Sequence, residues 1–209
     1  MAQRQTVQQE VFDPRGDVDV TDYTIAERID GLEGKTIGLL DNAKSNADIL
    51  LDEVGEILKS SYGVEEVVYR RKNSTAQPAD SIATQLDSQC DAVVNAYGDC
   101  GSCTSWCIYD SIDLEKKGTP TATVNSDEFV KLGQSESQAL GMPGLPIITV
   151  PHPMGDIEET KVRNRAQAII SEVVTVLTEN RDVLEAEYKN KFLDSDEEPE
   201  SSDLYCPIY

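Results

Sequence analysis

Apolar and polar positions fall into alternating blocks along this chain. Short apolar or β-branched runs at 35–40, 66–71, 91–96, 121–124 and 146–150 read as strands. The segments between them carry a helical period. Ile49, Leu50, Val54, Ile57 and Leu58 recur at helical spacing through Lys59. Helices are also expected at 79–86, 108–117 and 127–139. The clearest helix spans 158–177, where Val162, Ala166, Ile169, Ile170, Val173, Val174 and Leu177 form one apolar stripe suited to core packing. Helical character is expected to continue through Phe192. Loops at 73–78, 118–120 and 141–144 separate these elements.

Strands that alternate with helices predict a parallel sheet covered on both faces. The expected fold is α/β, a doubly wound, mainly parallel five-stranded sheet in three layers, flavodoxin- or Rossmann-like, forming a single domain over residues 34–193. Residues 1–33 are polar, with a break at Pro14-Arg15-Gly16, and read as an N-terminal arm that covers the core or packs on another subunit. A short helix or an edge strand is expected within 21–32. Residues 194–209 form an acidic tail, whose apolar end Leu204-Tyr205-Cys206-Pro207-Ile208-Tyr209 is suited to dock on the core or on a neighbouring subunit.

Ligands of such sheets bind outside the carboxyl ends of the strands. Polar residues gather at those ends: Asp41 and Asn42 after the first strand, Cys100 after the third, Asn125 and Ser126 after the fourth, His152 after the fifth. Asn125 and Ser126 also read as the cap of the following helix. The first of these loops offers amides, the Lys44 ammonium and a helix N-terminus, a combination that holds a carboxylate or phosphate. Plain capping by Asn42, Ser45 or Asn46 explains it as well. No Gly-rich dinucleotide fingerprint and no Walker motif is present.

The chemistry concentrates in Tyr97-Gly98-Asp99-Cys100-Gly101-Ser102-Cys103-Thr104-Ser105-Trp106-Cys107, which holds three of the five cysteines and the single tryptophan. A Cys-x-x-Cys pair where a strand meets a helix is a chemical device. Peptide N–H groups at the helix start stabilise a thiolate, and a second thiol one turn on is close enough to close a disulfide. The Asp99 carboxylate opposes that thiolate or handles a proton instead. Cys107 shares roughly the helical face of Cys103, as a second resolving thiol or a buried bystander. Trp106 reads as packing against the sheet, and Cys90 as a small buried apolar residue.

Asp99-Cys100-Gly101-Ser102-Cys103 resembles the signature of the UGSC family, named for selenocysteine-Gly-Ser-Cys, in which many members carry cysteine at the first position. The Leu40-Asp41-Asn42-Ala43-Lys44-Ser45-Asn46-Ala47 and Val150-Pro151-His152-Pro153 segments resemble the same family, and the likeness spans most of residues 30–180. It is more distantly similar to the selenoprotein B subunits of glycine, sarcosine and betaine reductases. The resemblance implies that Cys100 is the reactive group and Cys103 its partner. With sulfur in place of selenium, the nucleophile has a higher intrinsic pKa and needs more help from its neighbours. The Cys-x2-Cys-x3-Cys spacing differs from the glycine-reductase type, and the Trp-Cys-Gly-Pro-Cys context of thioredoxins is absent.

The expected chemistry is that of a thiol-dependent oxidoreductase. Cys100 attacks a small electrophilic substrate, Cys103 resolves the adduct through a disulfide, and an external thiol reductant such as thioredoxin resets the pair. His152, the only histidine, protonates the leaving group or lowers the Cys100 pKa, or is simply a loop histidine with a structural hydrogen bond. Asp41, Asn42, Lys44, Asn46, Gly101, Ser102, Asn125 and Ser126 form the expected substrate-binding set. No cofactor is expected. Two rivals stand beside this reading: metal or iron–sulfur binding through Cys100, Cys103 and Cys107 with His152 or Cys206, and a non-catalytic subunit of a larger reductase.

Charge narrows the partners. A net charge of -21, from 39 acidic against 18 basic residues, argues against nucleic acid and anionic membrane surfaces. It fits a halophile-like surface kept soluble in high salt. The polar first residues lack the apolar segment of a signal peptide, and no apolar run approaches the ~20 residues that span a bilayer. A cytoplasmic location and a small-molecule substrate are expected, with a homo-oligomer as an option.

Overall fold

A computed structural model of the chain describes residues 22–193. Five strands and six helices follow one another as β1 (Thr36–Asp41), α1 (Ala47–Tyr62), β2 (Glu66–Arg71), α2 (Ser81–Gln89), β3 (Ala92–Gly98), α3 (Gly101–Lys117), β4 (Thr121–Ser126), α4 (Val130–Ala139), β5 (Ile147–Val150), α5 (Glu159–Thr178) and α6 (Arg181–Tyr188). The strands are all parallel, in the order β2-β1-β3-β4-β5. Right-handed crossovers then place α1 on one face and α2, α3 and α4 on the other. Packing agrees: α1 lies against α5 on the first face, while α3 contacts α2 and α4 on the second. The fold is therefore the expected three-layered, doubly wound α/β sheet. Strand order reverses between β1 and β3, where ligands of this topology bind.

Every residue of β3 and β4 is buried, including the polar Asn95, Thr121, Thr123, Asn125 and Ser126. At the sheet edge, β2 is exposed or half-buried throughout. Helix α1 turns Leu50, Leu51, Val54 and Leu58 inward and comes close to the sheet at Gly55, where a Cβ would stand 3.0 Å from Leu39. It ends at Gly63, whose positive φ of 72° lets its N–H bond back to Leu58.

Three local expectations change. Residues 22–33 form neither helix nor strand. They are held instead by long-range contacts: Ile25 and Leu32 are buried in the core, and Glu115 binds Arg28 and the Ala26 N–H. Helix α5 stops at Thr178, and α6 begins separately because the Asn180 side chain accepts the N–H groups of Asp182 and Val183. Helix α4 starts at Val130, with Asn125 and Ser126 completing β4 and not acting as caps. The start of the arm, the acidic tail and Cys206 lie outside the described residues. No described helix is long and apolar enough to cross a membrane.

Candidate functional site

Strand β3 delivers the cysteine motif to the switch point. The chain leaves β3 at Gly98, passes Asp99, and enters α3 directly after Cys100, which occupies the N-cap position in extended conformation. The Cys100 carbonyl accepts the first helical hydrogen bond, from the Thr104 N–H at 3.0 Å. The helix thus starts seven residues earlier than periodicity placed it, with residue 101 in place of 108. The cysteines become part of its first two turns.

Cys100 is half-buried and Cys103 fully buried. The Cys103 sulfur accepts the Asp99 N–H at 3.1 Å, and its thiol donates to the Cys100 carbonyl at 3.3 Å. Burial opposes ionisation of Cys100. Hydrogen bonds from the Cys103 thiol and backbone N–H, together with the Lys44 ammonium, outweigh it and hold the Cys100 thiol below its ordinary value. Cys103 goes the other way, pushed up to about 11 by burial and by its partner sulfur. The pair is therefore asymmetric, with a favoured thiolate at the exposed position and a retained proton at the buried one. Cys107 is buried in α3, its thiol driven far upward by burial, with the Asn42 amide donating to its sulfur at 3.3 Å. Cys90, partly buried against the α2 side of the sheet, is pushed up to about 11 by burial.

Lys44 arrives from the β1–α1 loop beside Cys100, where its charge favours the thiolate. Burial opposes its charge, but Cys103, Cys100 and Asp99 carry its pKa above the ordinary lysine value. The loop that presents it is shaped by the residues before it. Asp41 accepts the Ala43 N–H at 2.6 Å, and Asn42 accepts the Lys44 N–H at 3.2 Å. Both side chains are fully buried. The Asp41 carboxylate is also engaged by the Tyr69 hydroxyl and by Arg71 at 3.2 Å, while the Asn42 amide donates to the Tyr97 carbonyl at 2.7 Å. Asn46 occupies the N-cap position of α1, but its side chain does not cap the helix. Its amide donates to the Met154 and Ile157 carbonyls at 2.9 and 3.1 Å and ties this loop to the one after β5.

That second loop carries His152. The imidazole Nδ1 lies 2.7 Å from Asp99 Oδ1 and 3.2 Å from the Ser126 hydroxyl. The other carboxylate oxygen of Asp99 accepts the N–H groups of Met154 and Gly155 at 3.2 and 3.3 Å. Arg165, on α5, clamps the loop from behind by donating to the carbonyls of Pro151 and Pro153 at 2.7 and 2.6 Å.

A cleft of about 420 Å³ opens over this junction, lined by Ala43, Lys44, Ser45, Thr75, Asp99, Pro153, Gly155 and Asp156. A larger trough of about 520 Å³ runs along α1 and β2 past Asp48, Asp52, Tyr69 and Arg163, away from the cysteines, and belongs to the open flank of the edge strand.

The predicted residues thus divide. Cys100, Cys103, Lys44, Asp99 and His152 come together around the switch point, with Ser126 reaching His152. Gly101 and Ser102 form the exposed first turn of α3. Asp41, Asn42 and Asn46 shape and fasten loops. Asn125 is fully buried between β3 and α4, where a Cβ on Gly98 or Gly133 would stand 2.5 Å from its amide atoms. Trp106 is not a sheet-facing residue of α3; its ring lies 5.4 Å from that of Tyr109 on the outer side. Sequence reasoning missed Arg165 and the two backbone N–H groups that hold Asp99, since no motif marks them. It also missed Tyr97, whose hydroxyl donates to the Ser45 carbonyl at 2.5 Å; an aromatic ending an apolar strand was its only signal. Among the described residues, no three His, Cys, Asp or Glu side chains converge so as to hold a metal ion.

The family model of the UGSC family matches residues 10–179. No match is found among curated proteins. Among solved structures, a diflavin flavoprotein A3 from Nostoc sp. aligns at 16% identity with a TM-score of 0.35, over 68% of this chain and 94% of that one. Neither finding bears on the similarity to selenoprotein B subunits.

Proposed function

The chain belongs to the UGSC family, and from that premise and the surroundings of Cys100 we propose a thiol-dependent oxidoreductase acting on a small electrophilic substrate. The observation that carries the reading is the asymmetry of the cysteine pair: Cys100 is accessible, contacted by Lys44 and biased towards thiolate, whereas Cys103 is buried one turn behind it. The Cys100 thiolate attacks the electrophilic carbon or sulfur and displaces a leaving group, which takes a proton. His152, held against Asp99, supports the reading as the donor of that proton. Cys103 then loses its proton and attacks Cys100 Sγ. The Cys100–substrate bond breaks, its electron pair leaves with the substrate fragment, and that fragment is protonated. The two thiols are oxidised to a disulfide and the substrate is reduced by two electrons. An external dithiol returns the pair to the reduced state.

Alkylation by iodoacetamide across a pH series, read by mass spectrometry before and after mild oxidation, tests this. Cys100 is expected to label at lower pH than Cys90 and to lose that labelling as a Cys100–Cys103 disulfide appears. Equal labelling of Cys100 and Cys90, with no disulfide between Cys100 and Cys103, overturns the proposal.

A further inference from the structure

The outer face of α3 beside Cys100 differs from the rest of this acidic surface. In a chain with 57 charged residues (39 acidic plus 18 basic), the first nine residues of α3, Gly101 to Tyr109, include none. Four of them, Cys103, Thr104, Cys107 and Ile108, point inward and are buried. What remains is Gly101, Ser102 and Tyr109, which are exposed, and Ser105 and Trp106, which are half-buried. Tyr109 is 46% exposed, and its ring packs on Trp106 with centroids 5.4 Å apart. This uncharged aromatic surface begins at the residue that follows the reactive cysteine. At ~1.5 Å rise per residue it ends about 12 Å further along the helix, well within the footprint of a small redox encounter.

We infer that the Ser102–Tyr109 face of α3 is the landing surface of a small protein dithiol that reduces the Cys100–Cys103 disulfide. The inference rests on the proposed thiol chemistry. Because Cys103 is fully buried, a reductant can attack only Cys100, and the exposed first turn of α3 directly adjoins that residue. Exposed aromatic side chains are what transient protein contacts use, and Tyr109 with Trp106 supplies them here, beside the Glu136 carboxylate that accepts the Ser105 hydroxyl. A second copy of this chain fits less well, since it would bring a further net charge of -21 against the same charge.

The step is a two-electron exchange. A partner thiolate attacks Cys100 Sγ, the Cys100–Cys103 bond breaks, and a mixed disulfide to Cys100 forms. Cys103 departs as thiolate, received by the Asp99 N–H that contacts its sulfur at 3.1 Å, and takes up a proton. The partner's second thiolate then attacks its own first sulfur. Cys100 is released as thiolate and the partner leaves as a disulfide.

The test uses the full chain oxidised to the Cys100–Cys103 disulfide, with rates of reduction by a thioredoxin and by dithiothreitol. Trp106→Ala/Tyr109→Ala is expected to slow thioredoxin about tenfold, as loss of an aromatic anchor does, while dithiothreitol stays within about twofold of wild type. Tyr109→Glu, at an exposed position that cannot disturb the core, is expected to show the same split. Equal loss with both reagents, or no loss with thioredoxin, overturns the landing surface while leaving the cysteine chemistry standing. A wild-type dimer in sedimentation that these variants dissociate overturns it in favour of a second copy. Failure of the disulfide to form at all overturns the thiol chemistry and this inference together.

Discussion

Replacement of Glu115 by glutamine isolates the tertiary clasp that holds the segment before β1. The Glu115 side chain is fully buried and accepts from five donors: Arg28 Nη1 at 3.0 Å, Arg28 Nη2 at 2.8 Å, the Ala26 N–H at 2.7 Å, the Thr121 N–H at 2.6 Å and the Thr121 hydroxyl at 2.7 Å. The Arg28 side chain is 2% exposed, so its charge has no recourse to water. Glutamine keeps the volume but removes the charge, and either orientation of its amide points an NH2 at donors. Loss of one partner of a buried pair costs about 3–5 kcal/mol, because the other charge stays buried and unpaired. In urea, with m of about 1–3 kcal/mol/M, the midpoint is expected to fall by more than about 1 M. Thermal unfolding is expected to move down by roughly 6–20 °C at about 2–4 °C per kcal/mol. Detachment of residues 22–33 alone would expose Ile25 and Leu32, and hydrogen exchange at the Ala26 amide reads that event separately. Arg28→Met/Glu115→Gln is expected to recover part of the loss, since the unpaired buried charge is gone while the glutamine carbonyl still accepts from Ala26 or Thr121. A loss under about 1 kcal/mol for Glu115→Gln would refute the reasoning, because the buried guanidinium would then have needed no counter-charge.

Four further outcomes follow from the site and its supports. Lys44→Met removes the ammonium that favours the Cys100 thiolate, so alkylation of Cys100 near neutral pH is expected to slow about tenfold and its pH profile to move upward, with Cys90 unchanged as internal control. Arg165→Met releases the Pro151 and Pro153 carbonyls. Hydrogen exchange at the Met154 and Gly155 amides is expected to accelerate by at least about fivefold, as loosening worth roughly 1 kcal/mol gives, while Cys100 alkylation holds. Gly98→Ala would press a Cβ against Asn125 and Thr104, at 2.5 and 2.6 Å, and is expected to cost about 1–3 kcal/mol in denaturant unfolding. Alkaline pH is expected to lower the thermal midpoint. Cys90 and Cys103 are each raised to about 11, so the unfolded chain loses these protons first and stability falls from the ordinary thiol range up through about pH 11. A flat midpoint across that window would count against the burial of these thiols.

The amino-acid pattern alone determined the sheet, its helices and the edge at which chemistry gathers. Each strand is a short local run rich in β-branched or apolar residues, and β2 was legible at Glu66–Arg71 from Val67, Val68 and Tyr69. The Cys100–Cys103 pair was equally legible, since its members lie one helical turn apart. Errors arose where a local signal competed with distant partners. Periodicity could not end α5 at Thr178, because the reason is a cap formed by Asn180. Residues 22–33 form no regular element because Ile25, Arg28 and Leu32 find their partners across the fold, Arg28 at Glu115, 87 positions away.

Only the tertiary structure decided which polar residues at the strand ends face the cysteines. Asp41 and Asn125 carry the same polar signal as Asp99, yet Asp41 is consumed by Tyr69 and Arg71 and Asn125 is turned into the interior between two glycines. Lys44 meets Cys100, and Asp99 meets His152, because parallel crossovers bring the ends of β1, β3 and β5 to one edge of the sheet. Spacing along the chain encodes helix faces and strand alternation, which are short-range. The electrostatic surroundings of a thiol depend on groups more than 50 residues distant, and only the folded sheet fixes those distances.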